Sequence, residues 1–140
     1  MLHVLAQTLR QLAALLALAL APALLSGAVQ LKWRGFAPPG DEVALSAVES
    51  WGDQVQWVDA RPRAKFEQGH IPGAVLLNED EWDRLVPAFL DAWEPEKVVV
   101  VYCDYGSCDA SHAVARRLRE DLKLEHVHVL KGDWQQWPQK

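Results

Sequence analysis

The sequence predicts an α/β fold in which a small, mostly parallel sheet carries helices on both faces. Residues 98–102 read V-V-V-V-Y, and such a continuous apolar run is typical of a strand that is buried on both faces. Residues 111–123 follow closely and carry apolar side chains at helical spacing. Shorter strand-like and helix-like segments alternate through the rest of residues 42–140. This alternation indicates parallel strands joined by crossover helices.

Local patterns place the individual elements. The predicted strands cover residues 43–45, 55–58, 75–77, 98–102 and 127–130. The predicted helices begin near residues 46, 62, 79 and 109, and the last three end near residues 68, 91 and 123. Ser46 and Glu49 form a capping-box pattern, which should start the first helix. Pro62 suits the first turn of the second helix, and Pro87 should bend or break the third.

A nearly uncharged apolar stretch precedes the predicted domain at residues 12–31. As a helix, about twenty apolar residues span the roughly 30 Å hydrocarbon core of a bilayer. Trp33, between Lys32 and Arg34, suits the membrane–water interface. We therefore expect residues 1–34 to form an uncleaved, single-pass transmembrane anchor. The alternative is a cleaved signal peptide, with Arg10 as its basic region.

The anchor hypothesis divides the chain into three parts. Residues 1–34 are the anchor, residues 35–41 (G-F-A-P-P-G-D) form a linker, and residues 42–140 form the α/β domain. Basic residues flank the apolar stretch on both sides, so the positive-inside rule leaves the side of the membrane open. The signal-like start favours a periplasmic or other extracytoplasmic domain.

Charge excludes one class of partner. All 19 acidic residues lie in residues 35–140, together with eleven of the 14 basic ones. The resulting net charge of −8 in this part argues against binding to nucleic acid or anionic lipid through a basic surface. Two cysteines in a domain of this size are too few for a disulfide framework.

The residue with the clearest chemistry is Cys103, which follows the predicted buried strand and precedes a helix. Open α/β folds place ligands at this carboxyl edge of the sheet. The free N–H groups of the helix would also favour a thiolate or a bound anion. We therefore predict a nucleophilic sulfur. The predicted active-site loop consists of Asp104, Tyr105, Gly106, Ser107 and Cys108, whose backbone N–H groups could form a cradle around that sulfur.

Four segments in register resemble the rhodanese-like sulfurtransferase family. They are V-D-A-R at 58–61, F-E-Q-G-H-I-P-G-A-V at 66–75, V-V-V-Y-C at 99–103, and V-H-V-L-K-G-D-W-Q-Q-W at 127–137. The resemblance spans roughly residues 42 to 138 and suggests a membrane-anchored, single-domain form. It implies that a sulfane sulfur moves from a donor to Cys103 and then to a thiol or cyanide acceptor, without a cofactor.

The sequence departs from the family pattern at two positions. Cys108 stands where the family's loop usually ends in Arg or Lys, and Asp133 replaces a glycine of the closing G-G-W. Without the loop cation, an anionic donor such as thiosulfate loses a binding partner. A second thiol offers another route, because Cys108 could attack a persulfide on Cys103 and leave a disulfide. That route requires a Cα separation under about 7 Å. The alternative is that Cys108 is merely a small apolar residue at the start of the helix.

Two further residues have both a functional and a structural interpretation. The resemblance implies that Asp59 orients the loop or helps to bind substrate, but it could instead cap the helix begun by Pro62. Arg61 could supply part of the missing positive charge, or it could be an exposed surface residue. His70 is expected to be a hydrogen-bonded structural residue. We expect no metal site, because no cysteine or carboxylate is placed to join His126 and His128.

These observations predict an enzyme of the sulfurtransferase class (thiosulfate or persulfide to thiol), or a persulfide carrier, that uses Cys103. Its partners would be a small sulfur donor, a small-molecule or protein thiol acceptor, and a membrane, but no nucleic acid. One rival hypothesis is a thiol–disulfide or polysulfide redox protein that uses Cys103 and Cys108. The other is a catalytically silent binding module tethered to the membrane.

Overall fold

The computed structural model describes residues 41–104 and 108–138. Within those two stretches, no helix is both long enough and apolar enough to cross a membrane. The predicted anchor at residues 1–34 and all but the last residue of the predicted linker lie outside the described residues.

Five parallel strands form one sheet, in the spatial order β1-β5-β4-β2-β3. The strands are β1 (Glu42–Ala44), β2 (Val55–Asp59), β3 (Val75–Leu76), β4 (Val98–Tyr102) and β5 (Val127–Lys131). β4 lies at the centre, and every one of its residues is buried. The predicted α/β fold class is therefore confirmed, including the parallel sheet and its buried central strand.

Four α-helices connect the strands in the described residues. They are α1 (Leu45–Glu49), α2 (Arg63–Gln68), α3 (Trp82–Ala92) and α4 (Asp109–Glu120). Short 3-10 turns at Gly52–Gln54 and Trp134–Gln136 complete the described part. α4 buries Val114, Ala115 and Leu118 in the core, which is the apolar stripe that its spacing predicted.

Three local expectations need correction. The capping box at Ser46 is wrong, because α1 begins one residue earlier, Ala44 occupies the cap position, and no side chain caps the helix. A break at Pro87 is wrong, because α3 continues through it to Ala92, and the alternative of a bend there stays a prediction. α4 ends at Glu120 rather than near Lys123, whose φ of 58° is left-handed and therefore incompatible with a continuing helix.

The parallel arrangement brings the carboxyl ends of the strands to one edge. Asp59 pairs with Tyr102 at the ends of β2 and β4, and Cys103 follows directly. On the other side of β4, Val101 pairs with Val129 of β5, which in turn pairs with Glu42 of β1. This register carries Glu42, from the first described strand, close to the edge at which Cys103 lies.

Candidate active site

The two cysteines lie at this edge of the sheet, one on each side of the predicted loop. Cys103 directly follows β4 and is 9% exposed. Cys108 is the residue before the first turn of α4, with extended backbone angles. The strand therefore holds one sulfur and the helix holds the other, and both elements are packed into the core.

A disulfide joins Cys103 and Cys108 in this structure. The two Sγ atoms are 2.03 Å apart and the two Cα atoms are 6.3 Å apart, which meets the distance condition for a second thiol acting on the first. Cys108 is thus a partner of Cys103 as well as a helix-start residue. Tyr105, Gly106 and Ser107, with the backbone cradle predicted for them, lie outside the described residues.

Ser111 is a site residue that the sequence interpretation missed. Its side chain is 1% exposed, and its hydroxyl donates to the Cys108 carbonyl at 3.0 Å. The same oxygen lies 3.5 Å from the Cys103 sulfur, so a small rotation would let it donate to a thiolate there. The available signal was its position on the apolar face of α4, three residues before Val114, where a polar residue is unusual.

Asp59 and Arg61 form a buried ion pair beside the cysteines. Asp59 is fully buried and Arg61 is 5% exposed. The guanidinium donates from Nε to Oδ1 at 2.9 Å and from Nη2 to Oδ2 at 2.6 Å, and the Arg61 backbone N–H donates to Oδ1 at 2.9 Å. Arg61 is therefore not a surface residue, and Asp59 does not cap α2, which has no side-chain cap.

Further contacts fix the Arg61 side chain. Nη2 also donates to the Gly69 carbonyl at 2.7 Å, and the guanidinium lies 4.4 Å from the centre of the Trp134 ring. Burial disfavours the charged form of Arg61, but the hydrogen bonds and charge of Asp59 outweigh it and raise the pKa of Arg61. Only Nη1 approaches the predicted loop, at 3.5 Å from Asp104. The guanidinium of Arg61 thus interacts mainly with groups outside the predicted loop and stabilises the fold.

The G-H-I-P-G segment contacts the same cluster. The Ile71 N–H donates to the Tyr102 hydroxyl at 3.1 Å. Burial, together with the nearby Asp59 carboxylate, raises the pKa of Tyr102 well above its usual range. His70 is hydrogen-bonded, as expected, since its Nδ1 lies 2.9 Å from the Phe66 carbonyl and its ring stacks on the Phe66 ring. These contacts join the segment to the end of β4, which Cys103 directly follows.

A cavity of about 470 Å³ opens beside the disulfide. Its lining comprises Glu42, Cys103, Asp104, Cys108, Asp109, Ser111, His112, Val129, Leu130, Lys131 and Gly132. Glu42 contacts two of the other lining side chains: its carboxylate lies 3.3 Å from His112 Nε2 and 3.5 Å from Lys131 Nζ. The sequence interpretation assigned no role to these three residues, because nothing local indicates that β1 lies next to β5.

In residues 41–104 and 108–138, no group of three or more His, Cys, Asp or Glu side chains could hold a metal ion. His128 instead lies close to Trp51, with their ring centres 5.9 Å apart.

Solved structures with low sequence identity share this fold. A rhodanese-like domain protein from Staphylococcus aureus superposes with a TM-score of 0.52 at 19% identity, over 72% of this chain and 94% of that one. A rhodanese-related protein from Thermoplasma volcanium gives a TM-score of 0.52 at 16% identity, over 70% of this chain and 90% of that one. At these identities the likeness concerns the fold alone.

Sequence comparisons give information beyond the fold. A curated relative, the adenylyltransferase and sulfurtransferase UBA4 of Eremothecium gossypii, is 29% identical over 83 residues. The match covers 55% of this chain but only 18% of that protein. The rhodanese-like domain family matches residues 45–140, which is more than half of the chain and includes the central strand and both cysteines. The chain therefore belongs to the rhodanese-like domain family, a family related to sulfur transfer.

Proposed function

We propose that the domain is a sulfurtransferase or persulfide carrier in which Cys103 carries the sulfane sulfur. The observation that carries this proposal is the position of the Cys103 sulfur, at the end of the central strand and in the wall of a 470 Å³ cavity. A nucleophile in this position is rigidly held yet reachable by a small molecule.

The reaction would proceed by two sulfur exchanges. The Cys103 thiolate attacks the outer sulfur of a donor persulfide, the sulfur–sulfur bond of the donor breaks, and the donor leaves as a thiolate. Cys103 then carries a persulfide, whose outer sulfur is attacked by an acceptor thiolate. Ser111 would donate a hydrogen bond to the Cys103 thiolate, since its oxygen already lies 3.5 Å from that sulfur.

Charge in the cavity favours persulfides over thiosulfate as donors. Three carboxylates line it, those of Glu42, Asp104 and Asp109, against the cation of Lys131 and the imidazole of His112. Arg61 does not replace the family's loop cation, because its guanidinium is occupied by Asp59 and Gly69. A doubly negative donor is therefore disfavoured relative to a neutral or singly charged one.

The disulfide favours a second activity, the reductive release of sulfide. Starting from a Cys103 persulfide, the Cys108 thiolate would attack the inner Cys103 sulfur. The Cys103–Cys108 bond forms, the bond to the outer sulfur breaks, and that sulfur leaves as hydrosulfide. The outer sulfur is reduced and the two cysteines are oxidised, so a dithiol reductant is needed to restore them. The 6.3 Å separation of the two Cα atoms supports this step.

Intact mass spectrometry of the protein after exposure to a persulfide donor tests both activities. We expect a gain of one sulfur atom in the reduced Cys108→Ser variant and none in Cys103→Ser. The wild-type protein, reduced before exposure, should end as the disulfide, lighter by two hydrogens than its reduced form, with sulfide released. If wild type and Cys108→Ser remain unmodified with every donor, the domain is a binding module and the proposal is wrong.

We further propose that residues 1–34 tether the domain to a membrane, with the domain on the extracytoplasmic side. The apolar stretch at residues 12–31 supports this. Fractionation of cells that express the full chain, beside a chain starting at residue 35, tests it. Only the full chain should pellet with membranes and resist extraction at alkaline pH, and protease added outside the inner membrane should reach its domain.

A further inference from the structure

A histidine shares the cavity wall with both cysteines. His112 lies in the second turn of α4, four residues after Cys108. The Cα–Cβ bonds of a helix tilt toward its amino end, so the His112 side chain leaves α4 on the side of its first turn, which Cys108 precedes. Both residues line the cavity into which Cys103 also faces.

The His112 ring contacts a carboxylate from β1, the edge strand next to β5. Its Nε2 lies 3.3 Å from Glu42 Oε1, and the other Glu42 oxygen lies 3.5 Å from Lys131 Nζ. An ionised carboxylate can only accept hydrogen bonds, so its contact favours the tautomer with the hydrogen on Nε2 and leaves Nδ1 as the basic nitrogen of a neutral ring. A base whose second nitrogen is oriented by a carboxylate is the arrangement that activates nucleophiles.

We propose that His112, oriented by Glu42, is the proton acceptor and donor for sulfur exchange at the Cys103–Cys108 pair. This inference rests on the proposed function and adds the proton path to it. As Cys108 attacks the persulfide on Cys103, its thiol proton passes to His112. The imidazolium then returns that proton to the departing hydrosulfide, which leaves as hydrogen sulfide. One persulfide and one thiol thus become one disulfide and one hydrogen sulfide.

The surroundings of the ring are compatible with this cycle. Glu42 contacts it from β1, and Lys131 reaches the same carboxylate from β5. On α4, Asp109 and Arg116 lie three residues before and four residues after His112, one turn away on either side. Asp104 lines the same cavity from the start of the loop. The His112 side chain is 44% exposed, so it can exchange its proton with water between turnovers.

Two polar side chains of α4 line the cavity beside the cysteine pair and differ in burial. Ser111 lies against the Cys103 sulfur and is buried, whereas His112 is open to solvent. A fixed hydrogen-bond donor suits a sulfur that carries cargo, because it stabilises the anion without removing it. A titrating group suits the sulfur that must lose a proton at each turn.

The first test measures the Cys108 thiol alone. In the full-length Cys103→Ser variant, the rate of alkylation by iodoacetamide is followed over about pH 5 to 9, where imidazole changes charge. An imidazolium nearby lowers a thiol pKa. Adding His112→Gln should therefore move the midpoint of Cys108 reactivity upward by roughly half a pH unit or more. His126→Gln is the matched control, because His126 precedes β5 at the opposite edge of the sheet, and it should leave the midpoint unchanged.

The second test measures sulfide release from persulfide-loaded full-length protein. His112→Gln should slow release by about tenfold or more and remove the limb of the pH profile that reflects imidazole. Glu42→Gln keeps the ring but not the carboxylate that contacts it, so it should slow release by a smaller factor than His112→Gln. Superimposable alkylation midpoints with and without His112 overturn this inference, even if Cys103 still accepts sulfur. If the midpoint shifts but the protein accepts no sulfur, the proposed function is overturned. The coupling between His112 and Cys108 is then still supported.

Discussion

Two charged groups flank the cysteine pair, and they differ in almost every physical respect. In the buried cluster, which consists of Asp59 and Arg61, Asp59 is 0% exposed and Arg61 is 5% exposed. Every guanidinium nitrogen of Arg61 has an oxygen partner within 3.5 Å. The open cluster, Glu42, His112 and Lys131, has side chains that are 43%, 44% and 73% exposed, and its contacts are 3.3 and 3.5 Å long.

The difference shows how one sheet edge divides its charges between two tasks. A buried ion pair has lost its water and must keep its partners, so it holds strand ends in one geometry. Solvated charges at longer distances exchange partners at little cost. The buried cluster therefore supports the site, while the open cluster can exchange its partners for a substrate. The missing loop cation is not replaced by Arg61, because Arg61 belongs to the supporting group.

The largest effect is expected from breaking the buried cluster. Arg61→Met leaves the fully buried Asp59 carboxylate without its counter-charge, and we expect a loss of about 3–5 kcal/mol in the free energy of unfolding. Urea unfolding followed by tryptophan fluorescence measures it.

An exposed pair provides the control for that prediction. Arg63 contacts Glu81 at 3.1 Å with 41% of its side chain exposed, so Arg63→Met should cost about 1 kcal/mol or less. The double variant Asp59→Asn/Arg61→Met should lose less than the sum of its two single variants, because no buried charge remains. Equal losses for Arg61→Met and Arg63→Met would remove the distinction between buried and exposed ion pairs.

An intermediate effect is expected at Tyr102, which lies against the buried cluster. Tyr102→Phe leaves the Ile71 N–H without its acceptor, at a cost of about 1–3 kcal/mol near neutral pH. Because the folded-state pKa of Tyr102 is raised, the unfolded tyrosine ionises first. Its contribution to stability is complete below the unfolded pKa of about 10 and is lost as pH rises above it.

Urea unfolding at about pH 8 and pH 11 checks the sign of that dependence. The gap in stability between wild type and Tyr102→Phe should narrow by about 1 kcal/mol at the higher pH. A gap that stays constant would mean that Tyr102 ionises equally in the folded and unfolded chains.

The smallest effect on stability is expected in the open cluster. Glu42→Gln removes a carboxylate that is 43% exposed, so the free energy of unfolding should change by no more than about 0.5 kcal/mol. The same unfolding experiment measures it. A loss above about 1 kcal/mol would show that the open cluster also supports the fold, and slower sulfide release in Glu42→Gln would then have a structural cause.

Local patterns were sufficient for much of this site. The apolar run of β4 and the helical spacing of α4 identified a buried strand, a turn and a helix, and hence the position of Cys103. Ser111 could also have been identified from the sequence, since the helical spacing of α4 shows a polar residue on its buried face. The burial of Arg61 could not be predicted from local patterns, because an arginine after a strand end can equally well be exposed. Its burial depends on Gly69 and Trp134, which approach it only after folding.

The sequence by itself determined the fold class, the buried central strand and the cysteine at its end, since periodicity and apolar runs act over a few neighbouring residues. Only the tertiary structure decided which charges face that cysteine. β1 pairs with β5 at the far side of the sheet from β2, and this places Glu42 beside His112, 70 positions later in the chain. No local pattern encodes such a pairing, because it follows from how the strands share one hydrophobic core.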